Sequence, residues 1–258
     1  MAGPKRRPSA GRASAEGTVA ISAAAGCLTA TLSRPGVGNR MSAAMARTLA
    51  EAAERVEDDN AIRVLAITGL HGAFCAGFDD DTDPRVVETI AAISKPTVAV
   101  IDGPAIDAGM ELALAADIRI ASAAARFAIA DLERGRMPRF GATQRLPRLV
   151  GVAHAMRILL TGAKVAGREA MRLGLVTYYA RDAAALGEVT GQVLSAIATR
   201  GPIAARLVKE AVNKGYDMTL DQGVRLEEDL YALLQTTADR AEGIRAFLEK
   251  RKPLFRGV

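Results

Sequence analysis

The chain has 258 residues, 50% hydrophobic and 24% charged, which suits a soluble globular protein with a sizeable core and excludes a disordered one. Aromatic residues make up only 4% and Trp is absent, which argues against a base-stacking or sugar-binding surface. The net charge of +5 is uneven: residues 1–12 hold Lys5, Arg6, Arg7 and Arg12 and no acid, so residues 1–17 are expected to be a disordered basic tail and not a nucleic-acid-binding arm.

Beyond the tail, "TVAIS" (18–22) and "CLTATLS" (27–33) predict two short alternating strands joined by a turn at Gly26. "RPGVGN" (34–39) is a loop by its Pro and Gly content. Residues 42–59 predict an amphipathic helix capped by Ser42, with Met45, Leu49 and Val56 on one face. "RVLAITG" (63–69) and "PTVAVIDG" (96–103) read as buried strands, separated by an acidic loop and one short helix within 79–95. A helical pattern starts at Ala108, followed by strands at 118–122 and 126–130. From about residue 145 the pattern is mostly helical.

The alternation of strand and helix implies right-handed crossovers and an α/β fold with a largely parallel sheet. The expected division is a core over residues 18–200 and a helical C-terminal subdomain over 201–258. There is no long apolar span and no signal-type apolar region, so no membrane partner is expected and the location is expected to be cytoplasmic. Cys27, Cys75, His71 and His154 lack ligand spacing, so neither a metal site nor a disulfide framework is expected.

Two loops leave buried strands with backbone N–H groups available: "GAFCAGFDDD" (72–81) and "GPAIDAG" (103–109), the second opening a helix. Two such donors aimed at one point form an oxyanion hole, although Gly-rich connections of this kind are also common as plain tight turns. The dinucleotide and phosphate-loop fingerprints are missing, as is the G-x-S-x-G of a nucleophile elbow.

Five segments together resemble the enoyl-CoA hydratase/isomerase (crotonase) superfamily: "TLSRPGVGNRMS", "ITGLHGAFCAGFD", "KPTVAVIDGPAIDAGMELALAADIRIAS", "GATQRLPRLVG" and "EGIRAFLEKRKPLF". They occur in the family's order over roughly residues 18–257. The resemblance implies a spiral of repeated ββα units and a C-terminal region that builds a homotrimer or a dimer of trimers. It also implies an acyl-CoA thioester substrate and no cofactor beyond the coenzyme A that the substrate carries.

Carried over position by position, the resemblance puts the oxyanion donors at the backbone N–H of Phe78 and Ala108. Its two acid-base carboxylates fall on Glu111 and Asp131, the second a Glu in the family's hydratases. Substrate- or CoA-binding positions fall on Ala76, Asp79, Arg139, Phe247 and Lys250, the last also readable as an exposed basic helix end. Hydration is the simplest reaction; isomerisation, a lyase or decarboxylase reaction, or acyl-CoA binding without turnover are the alternatives.

Several positions depart from the family pattern. Arg139 stands where hydratases usually have Gly, and it could bind a substrate carboxylate, pair with Asp131 or face solvent. Asp107 replaces a usual Gly beside the oxyanion donor and reads as the helix N-cap. Val37 and Gly38 stand where many relatives have a basic residue near the nucleotide. The segment 79–95 is short for a hydratase, so an open or differently shaped acyl site is expected.

Overall fold

The computed structural model describes residues 16–258; most of the expected disordered tail, residues 1–15, lies outside the described residues. The first two strands, β1 (Thr18–Ala24) and β2 (Cys27–Ser33), pair antiparallel over their full length. Their two-residue connection, Ala25 and Gly26, has φ of 50° and 79°, the double positive φ that matches the twist of a tight hairpin.

Next come α1 (Ala43–Asp58), β3 (Val64–Gly69), α2 (Arg85–Ala92) and β4 (Thr97–Ile101). They are followed by β5 (Pro104–Ile106), α3 (Ala108–Ala115), β6 (Ile118–Ser122) and β7 (Arg126–Ala128). After a 3-10 turn at Asp131–Arg134, the chain forms α4 (Ala142–Val150), α5 (Val152–Thr161), β8 (Val165–Ala166), α6 (Gly167–Leu173) and β9 (Tyr178–Ala180). Helices α7 (Ala183–Ala198), α8 (Pro202–Gly215), α9 (Leu220–Gln235) and α10 (Ala238–Leu248) complete it.

The main sheet has the order β1-β2-β3-β4-β6-β9, and every pairing after the first hairpin is parallel. A smaller sheet pairs β5 with β7 and β7 with β8. The strand read at 96–103 is observed as Thr97–Ile101, after which the chain leaves the main sheet and enters the second one as a separate strand at Pro104.

Period-two alternation sorts the central strands between two cores. Val64, Val98, Val100 and Ile120 point to the side covered by α7, where Leu186 and Val193 meet them. Leu65, Ile67, Ala99, Ile101 and Ala121 point the other way, into the larger core that also takes Leu49, Ala52 and Val56 of α1. That larger core surrounds α3, whose eight residues are all buried. A helix apolar on every side belongs inside a protein, which leaves Glu111 as the exception that must be accounted for.

Helix α3 is fixed at its C-terminal end by the buried Arg119 of β6. This guanidinium donates to the carbonyl of Ala116 at 2.5 Å and, through Nε, to that of Leu175 at 2.7 Å. Burial lowers its pKa to about 10, against the opposing pull of Asp117. A cation here satisfies the end of the helix whose other end carries the site.

Candidate active site

The two loops singled out in the sequence are joined side by side. The N–H groups of Phe74 and Cys75 both donate to the Pro104 carbonyl at 3.0 Å, and the Ile106 N–H donates to the Cys75 carbonyl at 2.9 Å. Two glycines allow this approach. A Cβ at Gly103 would lie 2.0 Å from the Gly72 carbonyl oxygen, and one at Gly109 would lie 2.0 Å from that of Cys75. Any larger residue would separate the loops.

The loop 72–79 is also tied to the segment after β2. The Met41 N–H donates to the Gly77 carbonyl and the Asp79 N–H to the Met41 carbonyl, at 2.9 and 2.8 Å. Buried Asn39 donates through Nδ2 to the carbonyls of Leu70 and Ala73, each at 2.7 Å, and Arg40 donates to the Phe78 carbonyl. The Gly77 carbonyl, which shares a trans peptide plane with the Phe78 N–H, is engaged by Met41, so the Phe78 N–H points the opposite way. Among the described residues, neither the Phe78 N–H nor the Ala108 N–H donates to an acceptor. Ala108 is the first residue of α3, where orphan donors and the positive end of the helix dipole coincide.

Both residues line one cavity of about 500 Å³, together with Glu111 and Asp131. Glu111 is 1% exposed, and its Oε1 accepts the N–H groups of Phe140 at 2.8 Å and Ala142 at 3.0 Å, at the start of α4. Burial pushes its pKa up; those two hydrogen bonds pull the other way, and the negative charge of Asp131 adds to the rise. Asp131 opens the 3-10 turn, with its carboxylate 3.1 Å from Arg136 and 3.5 Å from Arg134. Glu111 and Asp131 thus share the cavity in different surroundings, one buried among amides and one between guanidinium groups.

Asp107 holds the N-cap position expected of it, its carbonyl accepting the Glu111 N–H at 3.0 Å, but its side chain does not cap the helix. Its φ of 51° and ψ of −124° turn the side chain away from the helix, and it makes no capping hydrogen bond. Instead Oδ1 accepts the Ala130 N–H at 2.7 Å and Oδ2 pairs with Arg134. Arg134 therefore joins the residue before Ala108 to Asp131, and the sequence reading missed it. Its only signal was a basic residue three positions after Asp131, a spacing that faces the same side of a helical turn.

Of the three readings of Arg139, pairing with Asp131 is overturned, because Arg134 and Arg136 occupy that carboxylate. Arg139 is exposed, lines the cavity and lies over the Phe140 ring at 5.3 Å. Phe140 in turn stacks on Phe78, with ring centroids 5.5 Å apart.

Asp79 lines the cavity too, but Arg34 holds it at 2.6 Å and Arg40 at 2.9 Å, so it braces the loop. Ala76 is half-buried and donates its N–H to the Gly38 carbonyl at 2.9 Å, away from the cavity lining. Phe247 is 82% exposed on α10 and Lys250 follows it with φ of 53°; neither lines the cavity.

A family model described as enoyl-CoA hydratase/isomerase matches residues 22–258. The chain is 35% identical over 240 residues to the 2,3-dehydroadipyl-CoA hydratase of Escherichia coli K12, covering 88% of this chain and 94% of that one. It is also 35% identical over 251 residues to the 1,2-epoxyphenylacetyl-CoA isomerase of the same organism, covering 90% and 95%. Among solved structures, an enoyl-CoA hydratase from Bacillus anthracis superposes with a TM-score of 0.89 at 32% identity, covering 93% of this chain and all of that one.

Proposed function

The chain belongs to the enoyl-CoA hydratase/isomerase family, and on that premise we propose that it adds water across the 2,3-double bond of an enoyl-CoA thioester. The observation that carries this reading is the pair of unpartnered backbone donors, Phe78 and Ala108, on the same cavity as Glu111 and Asp131. The thioester oxygen accepts both N–H groups. As the water oxygen bonds to C3, electron density moves through C2 to that oxygen, and the two donors stabilise the enolate. One carboxylate takes the proton that the water loses, and the other supplies the proton that C2 gains. Burial, by raising the proton affinity of Glu111, equips it to hold a transferable proton nearer neutral pH than an exposed glutamate could.

The side chains contribute shape. Phe78 and Phe140 form an aromatic wall beside the donors, narrowing the space available to the acyl group. Arg134 offsets the negative charge of Asp107, which would otherwise stand next to the developing enolate.

The same proposal includes assembly through the C-terminal helices, supported by large apolar side chains on their surface: Leu220, Tyr231, Leu233, Phe247 and Leu248 are each more than half exposed in the single chain. Light scattering on the purified chain tests for a trimer or a dimer of trimers. Among the described residues no helix is long and apolar enough to cross a membrane; a cytoplasmic location belongs to the proposal and is tested by fractionation.

Loss of the conjugated thioester of crotonyl-CoA, with appearance of the 3-hydroxyacyl product, tests the reaction. Turnover by the unmodified chain that disappears in Glu111→Ala is the expected result; no turnover of crotonyl-CoA, a longer homologue or 2,3-dehydroadipyl-CoA removes the hydratase reading.

A further inference from the structure

Three arginines line the cavity, and two are committed: Arg40 to Asp79 and Arg136 to Asp131. Arg139 forms no ion pair and no hydrogen bond among the described residues. The cavity's carboxylates do not supply a partner, since Asp79, Asp107 and Asp131 are held by other arginines, Glu111 by backbone amides, and exposed Asp80 forms no ion pair. We infer that Arg139 receives an anionic end on the acyl group, so that the preferred substrates are enoyl-CoA thioesters bearing a second, free carboxylate.

Geometry supports this assignment, which rests on the acyl-CoA reading of the site. The contact of Arg139 with the Phe140 face orients the guanidinium plane and leaves all its N–H donors available for a bidentate carboxylate. Phe140 stacks on Phe78, the residue whose N–H would hold the thioester oxygen. The two ends of the acyl group would thus be read from the two ends of one stack, with steps of 5.5 and 5.3 Å. Rings and Met137 can accompany the methylenes between them, whereas the charges of Asp79, Asp80 and Arg136 along the wall disfavour a long hydrocarbon tail.

The test uses saturated thioesters, which bind without reacting: adipyl-CoA and suberyl-CoA, against hexanoyl-CoA and octanoyl-CoA as chain-matched neutral partners. Calorimetry on the full chain is expected to show at least one diacid thioester binding roughly tenfold or more tighter than its neutral partner. Arg139→Gln should bring that ratio near unity, and Arg139→Lys should keep part of it. Equal binding of acid and neutral thioesters by the unmodified chain, or a preference that survives in Arg139→Gln, overturns the inference. No bond is made or broken in this assay. Selective binding by a chain that hydrates neither crotonyl-CoA nor 2,3-dehydroadipyl-CoA therefore rejects hydration alone, and binding of none of the four thioesters rejects both readings.

Discussion

Glu111 and Asp131 reach one cavity from two elements, and only Asp131 has guanidinium partners there. The backbone amides at the start of α4 hold Glu111 without neutralising it. Its replacement by Gln keeps an oxygen that can accept both N–H groups and removes the transferable proton. Glu111→Gln should lower kcat on an enoyl-CoA by about 10²–10⁴-fold with circular dichroism unchanged. A loss below tenfold would show that Glu111 carries no proton in the reaction.

The same variant should also alter the pH dependence of stability. The pKa of Glu111 is raised in the folded chain, so between the ordinary carboxylate range and that raised value the folded state binds more protons than the unfolded one. Stability from this group is full below the ordinary range and is lost as pH rises through the folded pKa. Glu111→Gln should therefore gain on the unmodified chain as pH rises above the ordinary carboxylate range in denaturant titrations. A difference independent of pH would contradict the buried, destabilised carboxylate.

Arg134 can be tested through its partner. Arg134→Met leaves Asp107 uncompensated one residue before the Ala108 donor, and kcat should fall roughly tenfold. Adding Asp107→Asn removes the charge while keeping an oxygen for the Ala130 N–H, and should restore much of the loss. If the double variant is no faster than the single one, Arg134 acts through Asp131 and not through Asp107.

Gly109→Ala should be far more damaging than Gly187→Ala, although both sit in helices. A Cβ at 109 meets a backbone oxygen at 2.0 Å, while at 187 nothing lies within 4 Å. The first should cost roughly 1–3 kcal/mol or more and abolish turnover; the second should stabilise by up to about 1 kcal/mol. Thermal melts paired with activity assays separate them.

Local signals made much of this molecule legible. Ser42 caps α1 through the Met45 N–H at 3.3 Å, and the parallel sheet follows the apolar runs that predicted it. Glu111 stood out because a carboxylate inside an apolar helix needs a partner or a task. The short strands β5, β8 and β9 did not stand out, because two or three residues carry no period and take their form from distant partners. Residue type placed Asp107 correctly at the N-cap but not its side chain, which its own positive φ and a tertiary partner, Arg134, take away from the helix. Arg136 gave no sign as a site residue and Arg134 only its spacing from Asp131, since the folded turn brings them to the aspartates.

The packing of Gly103 and Gly109 against neighbouring carbonyl oxygens has a consequence for how such a chain tolerates change. The two proposed donors are main-chain atoms that every residue except proline possesses, so Phe78 and Ala108 can be exchanged for other side chains while the donors persist. Neither glycine lines the cavity, yet each fills a space that admits only a hydrogen. Sequence drift is thus open at the two donor positions and closed at those that merely let two loops meet.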